Sequence, residues 1–213
     1  MRKLDLAICM LVLATATASA CEGKKVILED GFVDELSGWE ADPVIKIGGG
    51  AMTIALKADA QGTTESNTEL NKVFHVKDAD LCVDAIFPTT LEGEPGVGLV
   101  FWATDYSNYY LLLAKPSGHA AVHRRLAGKW IMIGENKDVG ALKRDAGASN
   151  RLRVVAKGNV FSASVNGAKV AESRAQPPEA DWKFGLYGQT DKPATAAPAR
   201  TIVFKNFKAT STD

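Results

Sequence analysis

Residues 150–172, which read NRLRVVAKGNVFSASVNGAKVAE, constrain the fold of this chain more than any other segment. Three short runs of residues that favour β-strands are separated by the pairs Gly158-Asn159 and Asn166-Gly167. Two-residue hairpin turns of types II′ and I′ need a positive φ, which glycine and asparagine adopt at low cost. The segment therefore predicts a three-stranded antiparallel meander, whose inward positions are Leu152, Val154, Phe161 and Val165.

The rest of the chain repeats this pattern of short strands and turns. About twelve or thirteen short β-rich runs are predicted, with turn signals every 8–12 residues or so, which is typical of a sandwich or a barrel. No window sustains a helical period of apolar residues, and no linker divides the sequence. We therefore predict an antiparallel all-β fold, in a single domain that covers residues 21–213.

Residues 1–20 are predicted to be a signal peptide rather than part of the fold. Arg2 and Lys3 precede an apolar run at residues 6–14, and Ala18-Ser19-Ala20 has the form of a cleavage site. Cleavage there would make Cys21 the first residue of an exported protein, either periplasmic or extracellular. The alternative is a lipoprotein acylated on Cys21, although a bacterial lipobox usually has leucine where Ala18 stands. No other segment is long and apolar enough for a transmembrane helix.

Two cysteines, Cys21 and Cys82, remain after the signal peptide is removed. Export permits a disulfide between them. A cysteine at the chain terminus is poorly placed to pin the fold, so the sequence favours a free or lipidated Cys21 and a buried free Cys82. In either case two cysteines are too few for a disulfide framework, and the fold must depend on its hydrophobic core.

The charge balance excludes some classes of partner. The chain has 25 basic and 25 acidic residues, and loss of Arg2, Lys3 and Asp5 leaves a net charge of about −1. No basic field suits nucleic acid, and no basic amphipathic helix suits a membrane surface. The balance predicts a partner that is uncharged or weakly charged.

Several turn and core motifs spread along the chain resemble one superfold. These are Asp30-Gly31-Phe32, Ser37-Gly38-Trp39, residues 47–52, 98–102, 105–110, 150–153, Val165-Asn166-Gly167, and residues 184–188 and 203–207. Together they resemble exported bacterial domains of the concanavalin A-like lectin/glucanase superfold, which includes laminin-G-like domains and the 3-keto-disaccharide hydrolase (glycoside-hydrolase-16-like) domains. The resemblance covers about residues 26–208. It implies a two-sheet antiparallel jelly-roll sandwich with a concave face where glycans often bind.

The residues do not support glycosidase chemistry strongly. Glycosidases use two carboxyl groups, about 5–5.5 Å apart when retaining and about 6.5–9.5 Å apart when inverting. None of the predicted strands carries an E-x-D motif, which would place such a pair on one face. Asp80 and Asp84 share a predicted face with Cys82, and the favoured interpretation is a solvent-facing one. If the protein is a hydrolase or lyase on a modified sugar, as the resemblance allows, the acid candidates are Asp80, Asp84 and Glu69.

Aromatic and basic residues in three consecutive hairpin segments form the strongest candidate site. Alternation along residues 121–125 predicts Ala121, His123 and Arg125 on one sheet face, and alternation along residues 99–103 places Trp102 beside Val100. Aromatic rings can stack on the apolar face of a pyranose while Arg and His donate hydrogen bonds to its hydroxyls. The predicted ligand-binding residues are therefore His123, Arg125, Trp102, Tyr110 and Trp130, with core packing as the alternative for each aromatic.

No cofactor is predicted, although a structural calcium ion would suit a jelly roll. Asp30 and Asn206 would approach each other if the first and last strands pair, and they are the weak candidates for its ligands. The leading hypothesis for function is an exported, non-catalytic domain that binds a glycan or polysaccharide. The alternatives are the hydrolase or lyase and a structural envelope protein, lipid-anchored through Cys21.

Overall fold

The computed structural model describes residues 21–56, 65–190 and 200–212, so the predicted signal peptide lies outside the described residues. The described residues form fourteen strands and no helix. The strands are β1 Val26–Asp30, β2 Ile45–Gly48, β3 Ala51–Leu56, β4 Glu65–Leu70, β5 Ala79–Ile86, β6 Gly96–Asp105, β7 Asn108–Ala114, β8 Ala120–Leu126, β9 Lys129–Asn136, β10 Ser149–Lys157, β11 Val160–Val165, β12 Ala168–Arg174, β13 Lys183–Thr190 and β14 Arg200–Ser211. The predicted all-β class is confirmed.

The strands form two antiparallel sheets that pack face to face. One sheet has eight strands in the order β12-β11-β10-β5-β14-β3-β2, with β1 also pairing β14. The other has six strands in the order β4-β13-β6-β7-β8-β9. The core lies between the sheets and is formed by buried side chains from the inner faces of both. Among the described residues, no helix has the length and hydropathy needed to cross a membrane.

The predicted meander is β10, β11 and β12. Gly158 has a φ of 56° at the first central position of its turn, while Asn166 and Gly167 have φ values of 50° and 81°. These are the positive φ values that turns of types II′ and I′ require, and each turn has two residues. The four predicted inward side chains, Leu152, Val154, Phe161 and Val165, are fully buried. The meander prediction is confirmed.

An aromatic cluster near Trp39 ties the first long loop to the core. The Trp39 ring meets Phe207 edge-on, with ring centroids 5.3 Å apart. Its indole Nε1 donates a hydrogen bond of 2.9 Å to Asp30 Oδ2. Trp182 is likewise buried, and its Nε1 donates to the Lys77 carbonyl at 2.7 Å. Both tryptophans are therefore buried anchors of the core.

The N-terminal segment crosses part of the outer face of the eight-stranded sheet. The Glu22 amide donates to Asp80 Oδ2 at 2.9 Å, and the Gly23 amide donates to Thr210 Oγ1 at 3.1 Å. These contacts fold the segment back along β5 and β14, and Cys21 forms a disulfide with Cys82 across a Cα–Cα distance of 5.9 Å. The sequence-based expectation of a free Cys82 is therefore wrong, because contacts distant in sequence hold Cys21 over the sheet.

Candidate functional site

The outer face of the six-stranded sheet is apolar at its centre. Val100, Leu111, Leu113 and Tyr187 are buried there although the sheet's other face supplies the main core. Glycines in β6 make room for this arrangement. A Cβ at Gly98 would lie 2.5 Å from Leu111 Cδ1, so only glycine lets the leucine side chain lie flat across the strand. We call these four apolar side chains the floor.

Trp130 on the edge strand β9 stands beside the floor. Its ring meets Tyr109, Tyr187 and His123 edge-on, with centroid distances of 5.7, 6.1 and 6.0 Å. Register explains part of this contact, since Arg125 pairs with Trp130 on one side and with Tyr109 on the other. These packed rings hold the indole in place, yet Trp130 remains 44% exposed.

Arg125 fixes the position of this aromatic group. Its guanidinium carbon lies 5.3 Å from the Trp130 ring centroid and 5.8 Å from that of Tyr109. Its Nη1 also donates to Tyr109 Oη at 3.3 Å. A cation held against two aromatic rings is attracted to their negative faces. Arg125 therefore positions Trp130 from beside the cavity described next.

Trp130 and the floor residues Leu111 and Leu113 bound a cavity of about 240 Å³. We call it the Trp130 cavity, and its described lining is Leu111, Leu113, Lys115, His119, His123, Trp130 and Gln189. Lys115 and His119 come from the connection between β7 and β8, where the Lys115 amide donates to the His119 carbonyl at 2.9 Å. Gln189 comes from β13, opposite Gly96. The lining combines one exposed aromatic ring, apolar side chains and several hydrogen-bonding groups, as small-ligand sites do.

The electrostatics of the cavity favour a neutral His123 at pH 7. Burial lowers the pKa of His123, the nearby His119 and Lys115 lower it further, and Glu135 opposes them weakly. His119 Nε2 lies 2.9 Å from Glu135 Oε2, and this hydrogen bond lowers the pKa of the Glu135 carboxyl. A neutral His123 offers one donor and one acceptor. No carboxylate occurs among the described residues that line the cavity.

Three of the predicted ligand residues, Trp102, Tyr110 and Arg125, do not line this cavity. The register between β6 and β7 shifts after Phe101, and Trp102 has a φ of 47°. This bulge turns Trp102 into the core, where its ring meets Tyr110 edge-on at 5.1 Å. The predicted face of Trp102, beside Val100, is therefore wrong. His123 and Trp130 do line the Trp130 cavity, as the alternation along β8 predicts for His123.

Trp102, Tyr110 and Arg125 instead line a second cavity, of about 180 Å³, at one end of the sandwich. Arg124 lies over the Tyr110 ring, 5.4 Å from its centroid, and donates to Gln176 Oε1 at 2.9 Å. Tyr110 Oη donates to the Gln176 carbonyl at 3.2 Å. These contacts join β7 and β8 to the segment after β12. The second cavity is thus lined largely by groups that bond to one another.

The comparisons with known proteins are divided. No protein-family model matches the chain, and no curated protein matches it. Solved structures match along most of its length. The carbohydrate binding module CBM66 from Bacillus subtilis is 17% identical, with a TM-score of 0.58 over 81% of this chain and 91% of that one. A β-glucanase from Bacillus licheniformis is 11% identical, with a TM-score of 0.61 over 86% of this chain and 97% of that one.

A third match is a protein of unknown function with a galectin-like fold from Bacillus subtilis. It is 11% identical, with a TM-score of 0.63 over 90% of this chain and 98% of that one. This chain has the concanavalin A-like fold. The predicted two-sheet jelly roll is confirmed, and the resemblance seen in the turn motifs was to the correct superfold. Because identities are this low, the likeness shows the fold of this concanavalin A-like domain and nothing about its ligand.

Within the concanavalin A-like sandwich, Asp80 and Asp84 lie on the outer face of the eight-stranded sheet, away from the Trp130 cavity. Asp80 accepts two hydrogen bonds from Arg153, at 2.9 and 2.8 Å. Asp84 pairs with Arg151 at 3.0 Å. Four residues apart on one strand, the two carboxyls are separated by about 13 Å, which exceeds both glycosidase spacings.

Glu69, the third acid candidate, lies on the six-stranded sheet but not in the cavity. It is opposite Leu186, a core residue, and its Oε1 accepts the Glu40 amide at 2.9 Å. Burial raises the pKa of the Glu69 carboxyl, and the Glu40 amide partly opposes this. The chain's E-x-D pairs, residues 40–42 and 179–181, lie in loops. The structure brings no two of the three acid candidates together.

The candidate calcium ligands lie close to each other but are engaged elsewhere. Strands β1 and β14 pair, Asp30 is opposite Phe207, and both Asp30 and Asn206 line one cavity. Asp30 accepts hydrogen bonds from Phe32 and Trp39, and the Asn206 amide donates to Asp84 at 2.8 Å. Among the described residues, no group of three or more His, Cys, Asp or Glu side chains is arranged to hold a metal ion.

Sequence reasoning missed three polar residues of the cavity: Lys115, His119 and Gln189. Gln189 is far from the aromatic hairpins in sequence. Only the pairing of β13 with β6 brings Gln189 to the cavity. The available signal was the Gly96-x-Gly98 spacing in β6, since glycines two apart on a strand indicate that neighbouring side chains cross it closely.

Proposed function

We propose that this protein is an exported, non-catalytic carbohydrate-binding domain and that the Trp130 cavity holds its glycan. The observation that carries the proposal is the placement of the exposed Trp130 ring beside His123 and Gln189, over an apolar floor. A sugar ring has an apolar face and a rim of hydroxyls. The indole and the floor suit the first, and the imidazole and amide groups suit the second.

The solved structures support glycan binding or action as the general role of this fold. One match is described as a carbohydrate binding module and another as a β-glucanase. Two observations favour binding over hydrolysis for this chain. The described lining of the cavity lacks a carboxylate, and the acid candidates Asp80 and Asp84 each bond to an arginine.

Export is supported by the predicted signal peptide and by the Cys21–Cys82 disulfide. Disulfides form and persist in oxidising compartments, which include the bacterial periplasm and the extracellular space. The proposed location is therefore one in which free polysaccharide or a cell-surface glycan is accessible to the domain.

Affinity gel electrophoresis against a panel of plant, bacterial and animal polysaccharides tests the proposal. We expect at least one polysaccharide to retard the protein. Trp130→Ala, and separately the double variant His123→Ala and Arg125→Ala, should lose the retardation. Ile131→Ala is the matched control, because Ile131 is the neighbouring residue on β9 and is also 44% exposed, yet it does not line the cavity.

Three results would contradict the proposal. If no polysaccharide retards the protein, the glycan-binding role is wrong. If the same panel releases reducing ends when incubated with the protein, and Glu69→Gln stops that release, the domain is an enzyme and the non-catalytic assignment fails. Equal loss in Trp130→Ala and Ile131→Ala would place the site elsewhere.

A further inference from the structure

The described lining of the Trp130 cavity contains a permanent cation and no carboxylate. Lys115 is a donor only, and the neutral imidazole and amide side chains each combine donors with an acceptor. Hydroxyl groups of a neutral sugar both donate and accept, so a site for them commonly includes a carboxylate acceptor. Here the described lining supplies a cation and three mixed side chains.

Charge around the cavity is also one-sided, although the chain as a whole is nearly neutral. Lys115, His119 and His123 all line the cavity, and although burial is the main cause of the lowered pKa of His123, His119 and Lys115 lower it further. Arg125 adds a second permanent cation beside the ring of Trp130. The nearby carboxylate Glu135 is already engaged by His119 and lies 3.6 Å from Lys137.

We propose that the Trp130 cavity selects acidic glycans, whose anionic substituent bonds to Lys115 and His123 while the sugar ring packs against Trp130. This rests on the proposed function and names its ligand class. The shared chemistry is a carboxylate or sulfate on a sugar, as in uronic acids and sulfated polysaccharides. The expectation from overall composition, a weakly charged partner, does not follow here because the relevant charge is local.

The protonation of His123 would change when such a ligand binds. An anion within hydrogen-bond distance of His123 stabilises its protonated form, which then donates from both ring nitrogens. His123 would therefore gain positive charge when an acidic sugar enters, beside the permanent charge of Lys115.

Two matched pairs of polysaccharides test the inference by affinity electrophoresis and isothermal titration calorimetry. The pairs are polygalacturonate with its fully methyl-esterified form, and dextran sulfate with dextran. We expect the wild-type protein to bind one anionic member at least about tenfold more tightly than its neutral partner, as charge-assisted hydrogen bonds predict. Which pair shows the preference distinguishes a carboxylate from a sulfate ligand.

Charge variants separate specific recognition from general attraction. Lys115→Gln should raise the Kd for the preferred polyanion by about five- to tenfold. The control Lys46→Gln removes the same charge from an exposed site on β2, the edge strand of the other sheet, and should leave the Kd within about twofold. Lys46 is exposed and Lys115 is half-buried, and a thermal melt of each variant would verify that both fold.

The outcomes are distinct for the two proposals. Equal or tighter binding of the neutral members overturns the acidic-glycan inference and leaves glycan binding intact. Equal losses in Lys115→Gln and Lys46→Gln also overturn it, because the attraction would then come from overall charge. Retention by none of the four polysaccharides, nor by the wider panel, overturns the inference together with the proposed function.

Discussion

Replacement of Cys82 by alanine tests the most unexpected contact of the fold. In the structure the Cys21–Cys82 disulfide joins residues 61 positions apart, and Cys82 is fully buried. Closing a loop of that length removes chain entropy from the unfolded state and stabilises the native state by about 4 kcal/mol. Cys82→Ala should therefore lower the free energy of unfolding of the mature protein by about 4 kcal/mol.

The loss should be the same when either cysteine is removed. Cys21→Ala, Cys82→Ala and the double variant should each lose about 4 kcal/mol, rather than the double losing about 8, because both changes remove one shared cross-link. Urea unfolding followed by tryptophan fluorescence is a suitable assay, since Trp39 and Trp182 are buried anchors of the core. Reduction of the wild-type protein should reproduce the loss.

The lipoprotein alternative predicts that Cys82→Ala causes no loss of a cross-link. A Cys21 sulfur that carries a lipid thioether cannot also bond to Cys82, so the intact mass of the exported protein distinguishes the two states. If Cys82→Ala unfolds within about 0.5 kcal/mol of the wild type, far below the loss expected for a closed loop of this length, the disulfide does not form in the mature protein. Additive losses in the double variant would also refute the reasoning.

Three further predictions concern the cavity and its support. Binding of the preferred polyanion should tighten as the pH falls from about 7.5 to about 5.5. Burial lowers the pKa of His123 in the free protein and a bound anion raises it, so binding takes up a proton. Calorimetry that shows flat or weaker binding at the lower pH would contradict this. Asp30→Ala should cost about 2–3 kcal/mol in urea unfolding, since the buried Trp39 indole loses its acceptor, and a loss below about 0.5 kcal/mol would exclude that role. Gly98→Ala should cost about 1–3 kcal/mol and weaken binding, because its Cβ would displace Leu111; unchanged stability and Kd would show that the floor adapts.

The parts of the fold set by local chemistry could be predicted from the sequence. The turns at Gly158-Asn159 and Asn166-Gly167 have the φ values that their residues favour, and the strands between them alternate as expected. The same alternation correctly placed His123 and Arg125 on one face of β8. Such predictions succeed because turn type and strand face depend on a few neighbouring residues.

The predictions that failed depended on contacts distant in sequence. A bulge after Phe101 reverses the face of Trp102, and nothing in the local pattern of β-formers signals that extra residue. The disulfide was also missed, since the path of the segment before β1 is set by Asp80 and Thr210 on two other strands. In the same way, Gln189 reaches the cavity only through sheet order.

The contrast between the two outer sheet faces is the best guide to where this domain works. An outer face that only meets water is usually polar, and the eight-stranded sheet follows this rule with the pairs Asp80–Arg153 and Asp84–Arg151. The six-stranded sheet does not, since Leu111 and its neighbours form an apolar floor on that side. A purely structural domain would have no need for the glycines that make room for this floor or for an exposed Trp130 beside it. The asymmetry therefore favours a binding role over a scaffold, and replacing Trp130 should affect glycan binding far more than stability.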